Sequence, residues 1–354
     1  MNNWVKQGAA ALLAGLLIAA SLQPSAASAA ERTALEMYFP VDIEEHWAYP
    51  ELDNFVVADL LKGYEASNGD IEIRPEQHVT RAEFVTLLVR SMDLKSDEEA
   101  VQFTDVPEEQ WYAESVRIAS SLGIVNGVTK SEFRPDQEIE RGDIATMVVR
   151  AFQPSIPFEE QAVDLPFDDV PAEGYYASDA IAKASEAGIV NGMEERLFKP
   201  FEKAKRAEAV VMLQRALKLQ NSELPDEKLL TSVITEADEA EFAAINNDEL
   251  EELTSVLSKY YTAFQLASLS QYVDGMKDLV HDGISISVKE TGQRSLELLS
   301  ASDRYAIVKS TGGAWQFKYS FDDGQQSETV SNDGHYYMKK TDDGTWKVYA
   351  IYEE

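Results

Sequence analysis

An arginine with a fixed set of neighbours occurs three times in this sequence. Arg81, Arg141 and Arg206 are each followed two residues later by a carboxylate, and each stands six residues after a proline. Apolar residues at i, i+3 and i+4 follow each of them, which predicts that each arginine opens an amphipathic helix. A guanidinium in that position can bind a carboxylate in a bidentate manner, or it can pair only with the capping network of its own helix.

Other residue types recur at matching distances from these arginines. Each copy has an aspartate followed by an aliphatic residue, then an aromatic, then a glycine, over a period of about 60–65 residues. This order predicts a first helix, a turn, an extended segment and a capped second helix. One such unit cannot bury its apolar face alone, so the copies should pack together. The recurring positions are Asp42, Asp105 and Asp169; Trp47, Trp111 and Tyr176; and Gly63, Gly127 and Gly192.

The whole constellation resembles the S-layer homology domain in its usual triplet. The residues that carry the resemblance include the segments Thr80-Arg81-Ala82-Glu83, Gly123-Ile124-Val125-Asn126-Gly127 and Phe133-Arg134-Pro135. The resemblance implies repeats at 39–92, 103–153 and 167–217. It also implies an all-α, pseudo-threefold helical bundle with the first helices at its centre and binding grooves between repeats. The implied partner is secondary cell-wall polysaccharide bearing pyruvate ketals.

The resemblance also implies a role for each recurring residue type. The arginines would bind the pyruvyl carboxylate with help from helix-terminal N–H groups, and the aromatics would cover a sugar face. The aspartates would accept hydrogen bonds from sugar hydroxyls, and the glycines would let the backbone approach the ligand. The residues alone leave other interpretations open: aromatics as inter-repeat core, aspartates as N-caps and glycines as C-caps. Departures between the copies predict unequal grooves; they are Asp59, Gly142, Tyr176 and Lys205.

Composition and the N-terminal segment indicate an exported protein. A formal net charge of −32 argues against nucleic acid or an anionic membrane surface as a partner. Lys6, an apolar run over residues 9–20 and Ala27-Ser28-Ala29 predict a signal peptide over 1–30, hence a secreted protein associated with the cell wall. The chain has no cysteine, and no phosphate loop or His/Cys cluster predicts a cofactor or a metal.

The remaining sequence predicts an acidic linker over 218–247, partly helical because Leu229, Leu230, Val233 and Ile234 allow a short amphipathic helix, and an α+β domain over 248–354. Helical spacing over 250–266 and 269–279 precedes seven strand-like runs, with Gly312-Gly313 among the turn signals between them. Helices followed by a strand meander predict an antiparallel sheet, and the last hairpin resembles that of nuclear-transport-factor-2-like, cone-shaped domains.

These patterns favour a non-enzymatic anchoring protein that displays its C-terminal domain. Four residues of that domain are candidates for a general base, and all are expected to be solvated or hydrogen-bonded at the surface. Two alternatives stay open: a wall-anchored enzyme or small-ligand-binding protein with a C-terminal pocket, and an S-layer subunit. The candidate residues are His281, Asp282, Asp303 and His335.

Overall fold

The computed structural model describes residues 35–159, 164–194 and 196–353, so the expected signal peptide over 1–30 lies outside the described residues. The chain divides into two compact units. The repeat unit comprises Pro40–Val56 and Leu60–Glu223; the C-terminal unit comprises Leu224–Glu354, Val57–Asp59 and the described residues up to Phe39. Within the described ranges, no helix has the length and apolar character that crossing a bilayer requires.

Each repeat contains a short first helix and a longer second helix. The second helix of repeat 1 starts with a capping box: Glu83 N–H donates to Thr80 Oγ1 over 3.2 Å, and Thr80 N–H donates to the Glu83 carboxylate over 2.8 Å. Repeat 1 is longer than the other repeats between its recurring glycine and its proline, Gly63 and Pro75. This segment contains a small antiparallel hairpin of β1 (Tyr64–Glu65) and β2 (Ile71–Glu72). The helices are α1 Tyr49–Val57, α2 Arg81–Met92, α3 Ala113–Ser121, α4 Arg141–Phe152, α5 Ser178–Glu186 and α6 Arg206–Leu219.

The second helices, and not the first, lie at the centre of the repeat unit. Helices α2 and α4 both pack against α6, while α3 packs on α2 and α5 packs on α4. Nearly every residue of α2, α4 and α6 is buried, including the polar residues that these helices carry. The expectation of a central bundle of first helices is therefore wrong, because the first helices are apolar on one face only.

A closed ring of backbone hydrogen bonds joins the three repeats just before the second helices. Val79 N–H donates to Ala204 O over 3.0 Å, Ala204 N–H to Ile139 O over 2.9 Å, and Ile139 N–H to Val79 O over 3.0 Å. Each bond joins equivalent positions of different repeats. The repeats are thus arranged cyclically, and every second helix starts at the same distance from the ring.

The C-terminal unit has an α+β layout with one five-stranded antiparallel sheet. The strand order is β3-β4-β6-β7, and β5 pairs with the far half of β4. The apolar core lies between the helices and the sheet. The helices are α7 Glu227–Asn246, α8 Leu250–Leu257 and α9 Ala263–His281; the strands are β3 Ser285–Ala301, β4 Tyr305–Phe321, β5 Gly324–Ser331, β6 Gly334–Lys340 and β7 Trp346–Tyr352.

Two expectations for this unit need correction. Most of the expected linker is α7, whose Leu230 and Ile234 are fully buried in the core, so its apolar stripe outweighs its acidic character. The expected turn at Gly312-Gly313 lies inside β4, where Gly313 pairs with Gly292 of β3. Gly292 and Gly312 take left-handed φ values of 83° and 80°, and a register shift follows Gly292, so both long strands change course there without ending.

Candidate functional site

The three motif arginines are buried at the seams between repeats. The Arg81 Nε–H donates to Phe133 O over 3.0 Å, and its NH1 lies 3.3 Å from an Asp143 oxygen. Both partners belong to the next repeat, and Arg81 is only 4% exposed. Burial lowers the pKa of Arg81, and the nearby Asp143 carboxylate opposes that shift. Arg81 thus ties repeat 1 to repeat 2.

The other two arginines repeat this arrangement around the ring. Arg141 NH1 lies 3.0 Å from Glu208 Oε1, and Arg206 NH1 lies 3.3 Å from Glu83 Oε1. Their Nε–H groups each donate to a carbonyl of the partner repeat over 2.9 Å. We name the seams by the repeats they join: the 1–2 seam contains Arg81, the 2–3 seam Arg141 and the 3–1 seam Arg206.

The first N–H groups of the second helices are already bonded across these seams. Arg81 N–H donates to Gln137 O over 2.9 Å, and Ala82 N–H donates to Pro135 O over 3.0 Å. The other two second helices donate to the neighbouring repeat in the same way. The expectation that these N–H groups assist an anionic ligand is therefore wrong. Because Nε and NH1 of each arginine are also engaged, a ligand would have to be bound mainly through NH2.

The recurring aspartates hold the backbone turns whose carbonyl groups accept hydrogen bonds from these arginines. Asp105 accepts backbone N–H donors from Phe133 over 2.8 Å and from Arg134 over 2.7 Å. Arg134 takes a left-handed φ of 58°, so the carboxylate holds a strained turn, and Phe133 O accepts the Arg81 Nε–H. Asp42 and Asp169 make the same pair of bonds in their repeats. The N-cap interpretation is wrong, since both oxygens of each aspartate bind this turn.

The recurring glycines pack against the backbone of their own repeats. A Cβ on Gly127 would lie 2.6 Å from Glu132 O, and one on Gly192 would lie 2.9 Å from Leu197 O. Gly63 is similarly confined, with Glu72 O at 3.0 Å from a Cβ position. The C-cap interpretation is wrong for all three, because the left-handed positions after the first helices are Asp59, Gly123 and Gly188.

The three recurring aromatics are exposed. Trp47, Trp111 and Tyr176 have exposed fractions of 62%, 62% and 61%. Their interpretation as inter-repeat core is therefore wrong. The Tyr176 hydroxyl donates to Asp143, the carboxylate that pairs with Arg81, so this aromatic stands at the 1–2 seam. Burial against this seam and the Asp143 hydrogen bond raise the pKa of Tyr176.

Trp111 contributes to a cavity at the 3–1 seam. The cavity has a volume of about 470 Å³ and is also lined by Arg206, Glu83, Tyr64 and Arg90. The Tyr64 hydroxyl donates to Glu83 over 2.5 Å and accepts from Arg206 NH1 over 3.0 Å. Arg206 NH2 makes only a long contact of 3.5 Å, to a backbone carbonyl. The cavity therefore combines a broad aromatic face, an engaged ion pair and the exposed side chain of Arg90.

Sequence reasoning missed the second arginine of each repeat. Arg90, Arg150 and Arg215 each stand nine residues after the motif arginine, and the NH1 of each donates to a backbone carbonyl at the end of a first helix. The equal spacing in all three repeats was the signal that could have found them. Arg90 matters most here, because it lines the cavity beside Trp111.

The three seams differ in the side chains that contact their ion pairs. Tyr64 joins the ion pair at the 3–1 seam, and Tyr176 joins the one at the 1–2 seam. Gly142 stands where the other repeats have alanine, because the hydroxyl of Tyr175 fills the space of a Cβ. Burial raises the pKa of Tyr175 to about 12.

The general-base candidates of the C-terminal unit differ in burial. The side chains of His281 and Asp282 are 90% and 70% exposed. His335 and Asp303 are 4% and 8% exposed, so the expectation that these two lie at the surface is wrong. Among the described residues, no cluster of three His, Cys, Asp or Glu side chains is placed to hold a metal ion.

Comparison with known proteins identifies the repeats. Residues 102–145 and 166–210 match the S-layer homology domain family. These segments belong to repeats 2 and 3, and repeat 1 reproduces their contacts residue by residue.

Curated relatives share about half of the chain. An amylopullulanase of Thermoanaerobacterium thermosulfurigenes is 29% identical over 49% of this chain and 9% of its own length. A surface layer protein of Brevibacillus choshinensis is 29% identical over 56% of this chain and 17% of its own length. A cellulosome-anchoring protein of Acetivibrio thermocellus is 27% identical over 45% of this chain and 36% of its own length. The chain thus spans a small part of each relative, and the relatives named as enzymes match only its repeat part.

Proposed function

The chain carries S-layer homology domains, and we propose that it anchors itself non-covalently to the bacterial cell surface by binding pyruvylated secondary cell-wall polysaccharide. The observation that carries this proposal is the cavity at the 3–1 seam, where exposed Trp111 stands with Arg206 and Arg90. The names of the surface layer and cellulosome-anchoring relatives support surface anchoring in general.

The cavity suits a sugar that carries one fixed carboxylate. The indole of Trp111 offers an apolar face to a sugar ring, and polar groups around it can bind hydroxyls. Glu83 already occupies Arg206 NH1 and would repel a second carboxylate nearby. The ligand carboxylate therefore belongs on the side of Arg90 and of Arg206 NH2, whose present contact is long.

The other two seams would bind less well or differently. At the 1–2 seam, Tyr176 is held by its hydrogen bond to Asp143, so a sugar would pack on a tyrosine whose hydroxyl is already engaged. Trp47 is the third of the recurring exposed aromatics, and we assign it to the 2–3 seam by the cyclic order of the repeats. The carried-over roles of Asp42, Asp105, Asp169 and the three glycines then become indirect: they hold the seam backbone in place.

The proposal extends to the rest of the chain. Residues 1–30 would direct export, and the repeats over 39–92, 103–153 and 167–217 would hold the C-terminal unit at the wall. The three helices packed on a bent antiparallel sheet support a nuclear-transport-factor-2-like cone for that unit. Short-range contacts in a seam can bind an anionic glycan despite the acidic chain, since salt screens exposed charges beyond about 8–10 Å.

Co-sedimentation of the full mature chain with purified cell walls tests this function. We expect retention on native walls and release when the pyruvyl groups are removed by mild acid. The control is native walls that keep their pyruvyl groups and are brought to the same final pH. Equal retention on both kinds of wall would show that the carboxylate is not recognised. Absence of retention on any wall would refute anchoring itself.

A further inference from the structure

Glu241 lies inside the C-terminal unit without any partner for its carboxyl group. Its exposed fraction is 0%, and neither Oε1 nor Oε2 has a hydrogen-bond partner among the described residues. It stands on α7, whose neighbours Ala237 and Ile245 belong to the apolar core. An ionised carboxylate in such a place loses its hydration and gains no compensating contact.

Arg294, a buried cation of the same unit, is engaged by other groups. Arg294 of β3 forms an ion pair with Asp238, one turn before Glu241 on α7. Its Nε–H donates to Ser310 Oγ over 2.8 Å, and NH2 donates to the Tyr336 hydroxyl over 2.7 Å. The positive charge of Arg294 is therefore directed at Asp238.

The other titratable groups around Glu241 are tyrosines and acids. Tyr261 precedes α9, Tyr272 lies on α9 and Tyr336 lies on β6, and all three are buried beside the α7 acids. The Tyr272 hydroxyl also has no hydrogen-bond partner in the described part of the chain. The charges of Tyr319 on β4 and of Glu328 on β5 also raise the pKa of Tyr272. All of these groups are neutral or negative near pH 7, so none of them offsets a charge on Glu241.

We propose that Glu241 is a proton-dependent switch in the packing of α7 on the sheet. With its proton bound, Glu241 is a neutral core residue and α7 is held against β3. When it loses that proton to solvent, the uncompensated charge weakens this packing. Helix α7 is also joined to β3 by the Asp238–Arg294 ion pair and by Asn246. Asn246 Nδ2 donates to Val288 O over 2.9 Å, and Val288 N–H donates to Asn246 Oδ1 over 3.0 Å.

The direction of the pH dependence follows from where the proton is held. Burial, and secondly the Asp238 charge, raise the pKa of Glu241 from 4.5 to about 8 in the folded unit. The folded unit therefore binds this proton more tightly than the unfolded chain does. Stability from this group is complete below the unfolded pKa and is lost as pH rises through the folded pKa. In between, the equilibrium constant for opening rises about tenfold per pH unit.

The titration of Asp238 changes the stability in the same direction as that of Glu241, but over a lower range of pH. Burial raises its pKa to about 6, although the Arg294 ion pair opposes this shift. A comparison of variants is therefore needed to isolate Glu241, and the matched pair is Glu241→Gln and Glu239→Gln. Glu239 lies on the same helix and is exposed.

Amide hydrogen exchange of α7 in the full chain, between pH 5 and pH 9, tests the proposal. The measured exchange rates are first corrected for the intrinsic exchange rate at each pH. We then expect the opening constant of α7 in the wild type and in Glu239→Gln, divided by that in Glu241→Gln, to rise with pH. This ratio should grow about tenfold per pH unit until about pH 8 and then level off. A ratio to Glu241→Gln that stays constant across this range would overturn the proposal.

A measurement on the unsubstituted protein covers the case in which Glu241→Gln does not fold. The side-chain carboxyl carbon of Glu241, observed by carbon-13 NMR, should titrate with a midpoint near pH 8, well above 4.5. A midpoint near 4.5 would overturn the proposal, because it would mean that the charged form is already accommodated in the core.

Discussion

Glu208 Oε1 lies 3.0 Å from Arg141 NH1, and the two side chains are 9% and 4% exposed at the seam between repeats 2 and 3. The other Glu208 oxygen accepts Lys205 N–H over 2.9 Å at the start of its own helix. One carboxylate thus caps its own helix and receives an arginine from the preceding repeat. The two-residue spacing in each motif therefore serves a cyclic series of ion pairs that joins all three repeats.

Removing one arginine from this series should destabilise the repeat unit. We expect Arg141→Ala to lower the free energy of unfolding by about 3–5 kcal/mol, because Glu208 would be left as a buried charge without its partner. Urea unfolding followed by circular dichroism measures this loss. Arg134→Ala is the control, since the Arg134–Glu132 pair is about half exposed on both sides and should contribute little. Equal effects of the two substitutions would refute a structural role for the seam ion pair.

Two neighbouring aspartates of repeat 3 have different roles: one binds the backbone of a turn, and the other lies at the surface. Asp169 accepts backbone N–H donors from Phe198 over 2.8 Å and from Lys199 over 2.6 Å, whereas exposed Asp168 pairs with exposed Arg196. We expect Asp169→Ala to lower the free energy of unfolding by about 2–4 kcal/mol, because two charge-assisted hydrogen bonds are lost. Asp168→Ala should leave the urea midpoint nearly unchanged. If Asp169→Ala instead reduced only wall binding, a direct contact with the glycan would be indicated.

The repeat period, the second helices and the capping box were predictable, because they depend on residue types at short range. Thr80 and Glu83 form the expected capping box, and each second helix begins at its motif arginine. What the sequence could not provide was the partner of each arginine. Arg81 reaches Asp143, which is 62 residues away, and only the cyclic packing of repeats brings them together. In the sequence alone, an arginine that binds a ligand and an arginine that binds a neighbouring repeat are surrounded by the same residue types.

In the C-terminal unit, two local sequence patterns led to predictions that differ from the observed packing. The acidic composition of residues 218–247 suggested a partly helical linker with a solvated charged face, yet Leu230 and Ile234 place its helix in the core. The glycine pair at 312–313 suggested a hairpin, yet both residues continue a 17-residue strand that bends there. Paired glycines permit either outcome, and the length of the partner strand decides between them.

Gly142 is predicted to be fixed by its neighbour Tyr175 and not by a ligand. Gly142→Ala should destabilise the repeat unit by about 1–3 kcal/mol, since the new Cβ collides with the Tyr175 hydroxyl and lies 3.2 Å from Pro200 O. Gln110 and His46 occupy the corresponding place in the other repeats, which have alanine in the motif. We therefore expect Tyr175→Gln to restore much of the loss in a double-mutant cycle measured by urea unfolding. Purely additive effects of the two substitutions would exclude this pairing.

Trp111 should contribute to wall binding without contributing much to stability. It is 62% exposed and lines the cavity at the 3–1 seam, so Trp111→Ala removes the aromatic face while leaving the seam ion pair intact. We expect at least about tenfold weaker binding to purified walls, typical of an aromatic anchor, with an unfolding midpoint close to that of the wild type. Trp111→Tyr should retain most of the affinity because a ring face is kept.

Leu122→Ala is the control for Trp111→Ala, since Leu122 is an apolar residue of the same repeat, 41% exposed, and is not among the cavity-lining residues. Sedimentation isotherms of the full chain on one wall preparation would measure all three variants. If Trp111→Ala and Leu122→Ala bound equally well, the 3–1 cavity would not be a glycan site. If Trp111→Ala lost affinity only together with its unfolding midpoint, the indole would be part of the scaffold, and recognition would have to come from another seam.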